Sequence, residues 1–510
     1  MTLRATALRL RNFAGSAAAG PAWLGMLGAA MISLGALGAG STPLHDPVLE
    51  TAHLSWMRFG HGFVLCAIVL WIGVALMLTA WLQLGRRVLR HDPEYSGSTG
   101  IYSLVVSTGF WLLPLLLSPP IFSRDAYSYL AQGALARDGL DPYAVGPAYN
   151  PNVLLDNVSP IWTTTPAPYG PAFIMVARFV TELVGNNVVT GTMLLRLCML
   201  PGLFLLIWAT PRIARHVGAN SCVALWICVL NPLVIIHLMG GAHNEMLMVG
   251  LIAAGIALTF DEHPVAGVAL IVVAVAVKAT AGLALPFMVW SWSRQLMQRR
   301  NVTAQRAWVM ATAASAAIFV AVFAVLSLLA GVGIGWLTAL AGSVKIVNWL
   351  TMPTVVSNLI HAIGGLFISV DFYAVLDVAR VIGVGVIAVC LPLLWWRFRH
   401  TDREALIGIT ASLFVVVLFV PAALPWYYTW PLAITASVTQ SRKSVAIIAG
   451  LSTWIVVIFK PDGSHGMYSL LHVAVATACA YAAWRYLAKA PDPEADEPAQ
   501  AVISTPLTRA

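Results

Sequence analysis

The chain has 510 residues, of which 59% are hydrophobic and 10% are charged, and its mean hydropathy is +0.82. Soluble domains carry roughly 25% charged residues, so this composition excludes a soluble globular protein and indicates a polytopic membrane protein. The net charge of +8 is not accompanied by a basic, aromatic-rich soluble face, so we expect no nucleic-acid partner.

Apolar segments long enough for membrane helices recur along the whole chain. A helical span needs about 20 apolar residues, because backbone groups in lipid must bond within the segment. This criterion predicts fourteen spans, at 22–40, 60–82, 101–118, 187–209, 220–239, 243–260, 264–278, 279–293, 306–330, 373–396, 404–421, 426–440, 443–459 and 467–487. The pair 264–278 and 279–293 is short enough to be two half-helices, and 171–184 and 353–366 are either short spans or interfacial helices.

The sequence therefore predicts an all-α membrane protein with about 12–15 transmembrane helices. Residues 1–490 are predicted to form a single membrane domain with a large loop at 119–170. The segment 491–510 is Pro-rich and acidic, which predicts a disordered tail.

The distribution of basic residues predicts the orientation. With the N-terminus in the cytoplasm, twenty of the 29 Lys and Arg residues fall in cytoplasmic segments and five in outer loops. The opposite orientation would reverse this bias. We therefore predict a multi-pass plasma-membrane protein with both termini in the cytoplasm.

Unusual polar groups gather on the outer side in this topology. They come from five separate segments: the loop 119–170, the turn GGAHNE at 240–245, Lys278 at the tip of a tight helical pair, the loop 335–350, and LPWYYTWP at 424–431. Five segments that present acids, bases, amides and aromatic rings to one region indicate a functional site there.

Asp125 is the most informative of these residues, because a carboxylate so close to the hydrocarbon boundary is costly unless it is solvated or functional. It follows an apolar segment directly, within SPPIFSRDAYSYLAQGALARDGLDPY. A structural alternative is that Asp125 only caps the helix that begins there. Within the same loop, Gly139 and Pro142 predict a helix end and a turn.

The other candidates also have structural alternatives. His243 and Asn244 could cap the helix that follows them. Lys278 could extend its ammonium group to the membrane interface. Tyr127, Trp426 and Tyr427 could belong to an interfacial aromatic belt.

No motif of a soluble enzyme is present, and no His, Asp or Glu set has metal-ligand spacing. A transporter or flippase for a lipid-linked sugar is the main alternative from another class. Transporters usually place polar sites at the bilayer midplane and contain an internal repeat, whereas here the polar groups lie at one face and no repeat is evident.

Several motifs, in this order, resemble the actinobacterial polyprenol-phosphomannose-dependent α-1,6-mannosyltransferases of the MptA/MptB type, which belong to the GT-C superfamily. They are SRDAYSYLAQGALARDGLDPY at 123–143, PAPYGPAF at 166–173, GGAHNEMLM at 240–248, KATAGLALPF at 278–287 and PWYYTWPL at 425–432. The resemblance covers about residues 100–435. It implies a membrane glycosyltransferase that uses polyprenyl-phosphate-mannose to build the α-1,6-mannan core of lipomannan and lipoarabinomannan. A related enzyme that moves another sugar, such as arabinofuranose, is the nearer alternative.

The resemblance also implies roles for individual residues. Asp125 matches the acidic residue of an early outer loop that acts as catalytic base in GT-C enzymes. The candidates for contacting the donor phosphate are Lys278, Arg124, His243 and Lys345. The candidates for contacting the donor sugar or the mannan glycolipid acceptor are Tyr127, Asn244, Glu245, Trp426, Tyr427 and Tyr169.

Metal dependence is not expected. Many GT-C loops carry paired acids, but here Arg124 precedes Asp125 and no acid follows within ten residues. A divalent cation prefers several oxygen ligands, so a single carboxylate favours catalysis without a metal or other cofactor.

Overall fold

The computed structural model describes residues 10–16, 19–340, 345–439 and 441–489, and helices dominate this part of the chain. Within these residues, extended pairing is limited to one isolated bridge between Phe459 and His465. The predicted tail at 491–510 lies outside the described residues. The main helices, numbered in chain order, are α1 Gly20–Ala39, α2 Gly60–Leu89, α3 Gly97–Leu115, α4 Asp125–Arg137, α5 Pro171–Val184, α6 Val188–His216, α7 Ser221–Cys228, α8 Glu245–Phe260, α9 Pro264–Val277, α10 Leu285–Arg300, α11 Ala304–Ala330, α12 Met352–Gly364, α13 Phe372–Arg397, α14 Asp402–Phe419, α15 Thr429–Thr435, α16 Arg442–Ile458 and α17 Leu470–Ala488.

Six of these helices are long and apolar enough to cross a membrane: α1, α2, α3, α6, α11 and α13. A seventh span results if α7 and the π-helix Leu233–Gly240, which meet at a bend of 49°, are counted together. The all-helical membrane architecture is thus confirmed, but the predicted fourteen continuous spans are not.

Part of the difference arises because helices such as α8 and α9 form where predicted but are shorter than a full span, and part arises from interruptions that hydropathy does not reveal. The predicted span 279–293 is split into a 3₁₀ turn at Ala279–Ala284 and helix α10. The predicted span 426–440 is a 3₁₀ turn at Pro425–Tyr428 followed by the seven-residue helix α15. Both interruptions bring irregular backbone to the side of the protein where the polar segments meet.

Two glycines within residues 119–170 allow this segment to pack closely against helices α5 and α9. A Cβ atom on Gly133 of α4 would lie 2.2 Å from the Ala177 carbonyl oxygen of α5, so only glycine permits this approach. A Cβ atom on Gly170 would lie 2.3 Å from the Ala276 carbonyl oxygen. The Gly170 amide also donates to the carbonyl of Val277, at 3.2 Å. Tyr169 is thereby held beside the end of α9, where Lys278 follows.

Candidate active site

A fully buried arginine joins the two segments that carry the acids of the site. Arg196 of α6 is 0% exposed, and its guanidinium group donates only to backbone carbonyls. These carbonyls belong to Leu116, Ser118 and Pro119 before α4, and to Met239 and Gly240 before α8, at 2.7–3.3 Å. Arg196 therefore fixes the start of α4 relative to the start of α8.

Both segments also contain a non-glycine residue in the left-handed region. Phe122 has φ of 62° and lies three residues before Asp125, and Ala242 has φ of 55° and precedes His243. Both residues are fully buried. Such conformations cost about 1–3 kcal/mol and concentrate at functional sites. The strained backbone thus lies next to the predicted catalytic residues.

A cavity of about 340 Å³ opens at the start of α4. Its polar wall includes Asp125, Ser128, Gln132, Thr165 and Lys278, and its aromatic wall consists of Trp162, Tyr169, Tyr427 and Trp430. Concave sites with apolar walls and a few converging polar groups are typical of ligand-binding pockets.

Asp125 is the first residue of α4, and 14% of its side chain is exposed. Its backbone amide donates to the Ser123 hydroxyl, at 3.0 Å. Burial and the nearby Glu245 carboxylate raise the pKa of Asp125 to about 7, although Lys278 and Ser123 oppose this shift. A carboxyl group with a pKa near the working pH suits a general base.

His243 connects Asp125 to Glu245. Its Nδ1 atom lies 3.7 Å from Asp125 Oδ2 and 3.9 Å from Glu245 Oε2, and the Tyr129 hydroxyl lies 3.4 Å away. The ring stacks on Trp426 with centroids 3.7 Å apart. Burial, followed by the nearby His237 and Lys278, holds the pKa of His243 well below its usual range. Burial therefore favours the neutral imidazole, and contact of His243 with the donor phosphate stays a prediction.

Lys278 contacts the cavity and forms an ion pair with the fully buried Glu245. Its Nζ atom lies 4.3 Å, 5.1 Å and 5.9 Å from the ring centroids of Tyr427, Trp430 and Tyr169. Burial lowers the pKa of Lys278, but the negative charge of Glu245 outweighs this and keeps it raised overall. The lysine therefore favours its charged form and is directed to Glu245 and the cavity.

Most of the predicted residues lie close together in the structure, but only some of them line the cavity. Asp125, Lys278, Tyr169 and Tyr427 line the cavity, while Lys345 lies at its rim and donates to Thr165 Oγ1 at 2.9 Å. The remaining members of the cluster, which are fully or almost fully buried, lie behind the cavity wall: His243, Asn244, Glu245 and Trp426. Asn244 is at the N-cap position of α8 without a side-chain capping bond, so the capping alternative is wrong.

Two predicted contacts need correction. Arg124 donates to the carbonyls of Asn157 and Thr42, at 3.0–3.1 Å, so its charge is directed to backbone groups and not to the cavity. Tyr127 is 1% exposed, its ring lies beside the Arg124 guanidinium, and its hydroxyl donates to the Ser41 carbonyl. Neither side chain lines the cavity, because both hold the loop together.

Several residues of this site were not predicted from the sequence. Trp430 and Trp162 contribute aromatic surface, and Ser128 and Gln132 follow Asp125 on one face of α4. The 3–4 residue spacing of Asp125, Ser128 and Gln132 was a usable signal, because it places the three side chains on the same side of a helix. Arg196 gave a weaker signal as an arginine within an apolar span.

Among the described residues, no group of three or more His, Cys, Asp or Glu side chains is arranged to hold a metal ion. Glu245, the carboxylate nearest to the Asp125–His243 pair, is already bound to Lys278.

Comparisons with known proteins cover nearly the whole chain. Residues 22–294 match the family model of the alpha-(1→6)-mannopyranosyltransferase N-terminal domain, and residues 353–489 match that of the MptB C-terminal domain. Alpha-(1→6)-mannopyranosyltransferase A of Mycobacterium tuberculosis is 64% identical over 498 residues, which cover 98% of this chain and 95% of that protein. The protein of the same name from Corynebacterium glutamicum is 36% identical, with 89% of this chain and 95% of that protein covered. Alpha-(1→6)-mannopyranosyltransferase B of Corynebacterium glutamicum is 30% identical, with 82% and 73% covered.

These matches confirm the resemblance seen in the motifs and favour an enzyme over a transporter. The chain therefore belongs to the MptA/MptB family of α-(1→6)-mannopyranosyltransferases, which are membrane glycosyltransferases with a helical fold of the GT-C kind.

Proposed function

We propose that the cavity transfers mannose from polyprenyl-phosphate-mannose to the 6-hydroxyl group of an α-1,6-mannan glycolipid, with Asp125 as general base. The observation that carries this proposal is that Asp125 and Lys278 line the same cavity, and burial there raises the pKa of Asp125 to about 7. The carboxyl group suits removal of a hydroxyl proton, and the lysine suits a phosphate leaving group.

The reaction forms one bond and breaks one. The acceptor 6-oxygen attacks the anomeric carbon of the β-linked donor while its proton passes to Asp125. The bond between that carbon and the phosphate oxygen breaks, and polyprenyl phosphate leaves with the electron pair. Attack from the opposite face inverts the β linkage to an α linkage. Release of the proton to water then restores Asp125.

The charges of the cavity favour an anionic lipid donor. Lys278 neutralises Glu245 in the free protein, and a bound phosphodiester would bring a second negative charge to the same ammonium group. The aromatic rings around Lys278 exclude water and leave the cation in a site where a charge-assisted contact is strong. Lys345, at the rim, adds a second cation for an approaching anion.

The location of the reaction follows from the topology predicted by the basic residues. Asp125, Lys278 and Lys345 belong to segments assigned to the outer side of the plasma membrane. The donor would then be used in the outer leaflet, where its polyprenyl chain remains in lipid.

The test uses purified protein in lipid nanodiscs with radiolabelled polyprenyl-phosphate-mannose and a short α-1,6-mannoside. We expect an α-1,6-extended product, identified by its sensitivity to an α-1,6-specific mannosidase. GDP-mannose should not replace the lipid donor. Transfer from GDP-mannose, or a β-linked product, would contradict the proposal. The alternative of a related arabinofuranosyl transfer predicts product only with the lipid-linked pentose.

A further inference from the structure

Helix α4 presents a row of polar side chains to the cavity beyond Asp125. Asp125, Ser128 and Gln132 all line it, and Ser128 and Gln132 are each only 4% exposed. Over the part of the chain that the structure describes, Ser128 Oγ and Gln132 Oε1 have no hydrogen-bond partner. Leaving a buried polar atom without a hydrogen bond is unfavourable. Two such atoms facing one cavity therefore indicate that a polar ligand supplies their missing hydrogen bonds.

The orientation of the helix keeps these side chains directed into the cavity. Gly133, the neighbour of Gln132, lies against the backbone of Ala177, at a distance that no other residue would permit. This contact fixes the rotation of α4 on α5. The two unpaired groups are therefore part of a fixed wall and not of a mobile side-chain surface.

The position of the row distinguishes the two substrates. His243 and Glu245 link Asp125 to Lys278, so the cation for the phosphate lies at the Asp125 end of α4. Gln132 is seven residues further along, which is about 10 Å at 1.5 Å per residue. That distance is comparable to two linked hexose rings, and the donor contributes only one mannose. A row of this length therefore suits an acceptor that extends from the reacting hydroxyl along α4.

We propose that Ser128 and Gln132 form a subsite that binds the non-reacting hydroxyl groups of the acceptor mannosides, an inference that rests on the proposed mannosyl transfer. The Gln132 carboxamide accepts a hydrogen bond from one sugar hydroxyl through Oε1, and the Ser128 hydroxyl pairs with another nearer to Asp125. The subsite places the 6-hydroxyl within reach of Asp125 and requires the acceptor to be a mannoside with those hydroxyls present.

The experiment compares Gln132→Met with the unaltered protein on a panel of short α-1,6-mannosides that each lack one non-reacting hydroxyl group. Methionine preserves the length and helix preference of glutamine, but its thioether sulfur is only a weak hydrogen-bond acceptor. On the complete acceptor, we expect kcat/KM to fall by about threefold to tenfold, the effect of one neutral hydrogen bond. On the deoxy acceptor that lacks the hydroxyl bound by Gln132, the variant and the unaltered protein should have the same kcat/KM. Gln83→Met, in α2 and away from the cavity, is the matched control.

Three results would overturn the subsite. An equal loss on every acceptor would mean that Gln132 acts only through the fold. No loss on any acceptor would mean that it does not bind sugar. A raised donor KM with an unchanged acceptor KM would assign the residue to the donor. The donor KM of Gln132→Met should equal that of the unaltered protein. Measuring this KM therefore also shows whether the variant is folded. Absence of transfer by the unaltered protein would instead refute the proposed function itself.

Discussion

The electrostatic coupling between Glu245 and Asp125 gives a prediction with a defined sign and size. Glu245→Gln removes the negative charge that helps to raise the pKa of Asp125 to about 7. A general base must be ionised to accept a proton, so activity rises as the pH passes its pKa. The substitution should therefore shift the acidic limb of the pH profile towards lower pH.

The magnitude follows from the position of His243 between the two acids. Asp125 Oδ2 and Glu245 Oε2 lie 3.7 Å and 3.9 Å from the same Nδ1 atom. These oxygens are therefore at most about 8 Å apart, and at an effective dielectric constant of about 20 two such charges repel by about 2 kcal/mol. This repulsion corresponds to about 1.5 pH units. Lys278 would remain near Asp125 and would favour its ionised form further.

The assay is kcat/KM for mannosyl transfer between pH 5 and 9, because this ratio reports ionisation of the free enzyme. The unaltered protein should have an acidic limb centred near pH 7. The limb of Glu245→Gln should be centred about 1–2 pH units lower. The double variant Lys278→Met/Glu245→Gln loses both opposing charges, so its limb should lie closer to that of the unaltered protein. A limb for Glu245→Gln that stays near pH 7 would refute the assignment of this ionisation to Asp125.

Three other predictions concern the remaining parts of the site. Lys278→Met should lower kcat/KM for the lipid donor about 10²-fold and should also destabilise the protein, because it leaves Glu245 buried without a counterion. The double variant with Glu245→Gln should recover thermal stability but not donor use. Recovery of both would show that Lys278 is only structural. Activity should be unchanged after EDTA treatment, and loss that Mg²⁺ or Mn²⁺ restores would show that the site requires a metal. Arg196→Lys should lower kcat about 10²-fold with little change in either KM. It should also shift the acidic limb to lower pH, because the segments that carry Asp125 and Glu245 separate. Arg212→Lys on the same helix is the control, and an unchanged pH profile for Arg196→Lys would refute this positioning role.

Sequence alone predicted the class of fold and the segments that form the site. Apolar composition requires helices in lipid, and residues costly at the membrane boundary, such as Asp125 and Lys278, are informative wherever they occur. Family motifs then connected five distant segments to one activity. These inferences depend on residue chemistry and order, which a sequence contains directly.

The side-chain directions could not be predicted in the same way. Arg124 and Asp125 are neighbours, yet one binds backbone carbonyls and the other lines the cavity. His243 could be recognised as a site residue, but the burial that lowers its pKa involves Trp426, which is distant in sequence. Two predicted spans, 279–293 and 426–440, were wrong for a similar reason, because a 3₁₀ turn within an apolar segment does not change its hydropathy.

The most direct test of the central claim is the turnover of Asp125→Asn with polyprenyl-phosphate-mannose and an α-1,6-mannoside. Asparagine preserves the size of the side chain but cannot accept the proton, and the loss of buried charge should leave the fold intact. We predict that kcat falls about 10²–10⁴-fold while donor binding and thermal stability are retained. A turnover close to that of the unaltered protein would contradict the assignment of Asp125 as the general base.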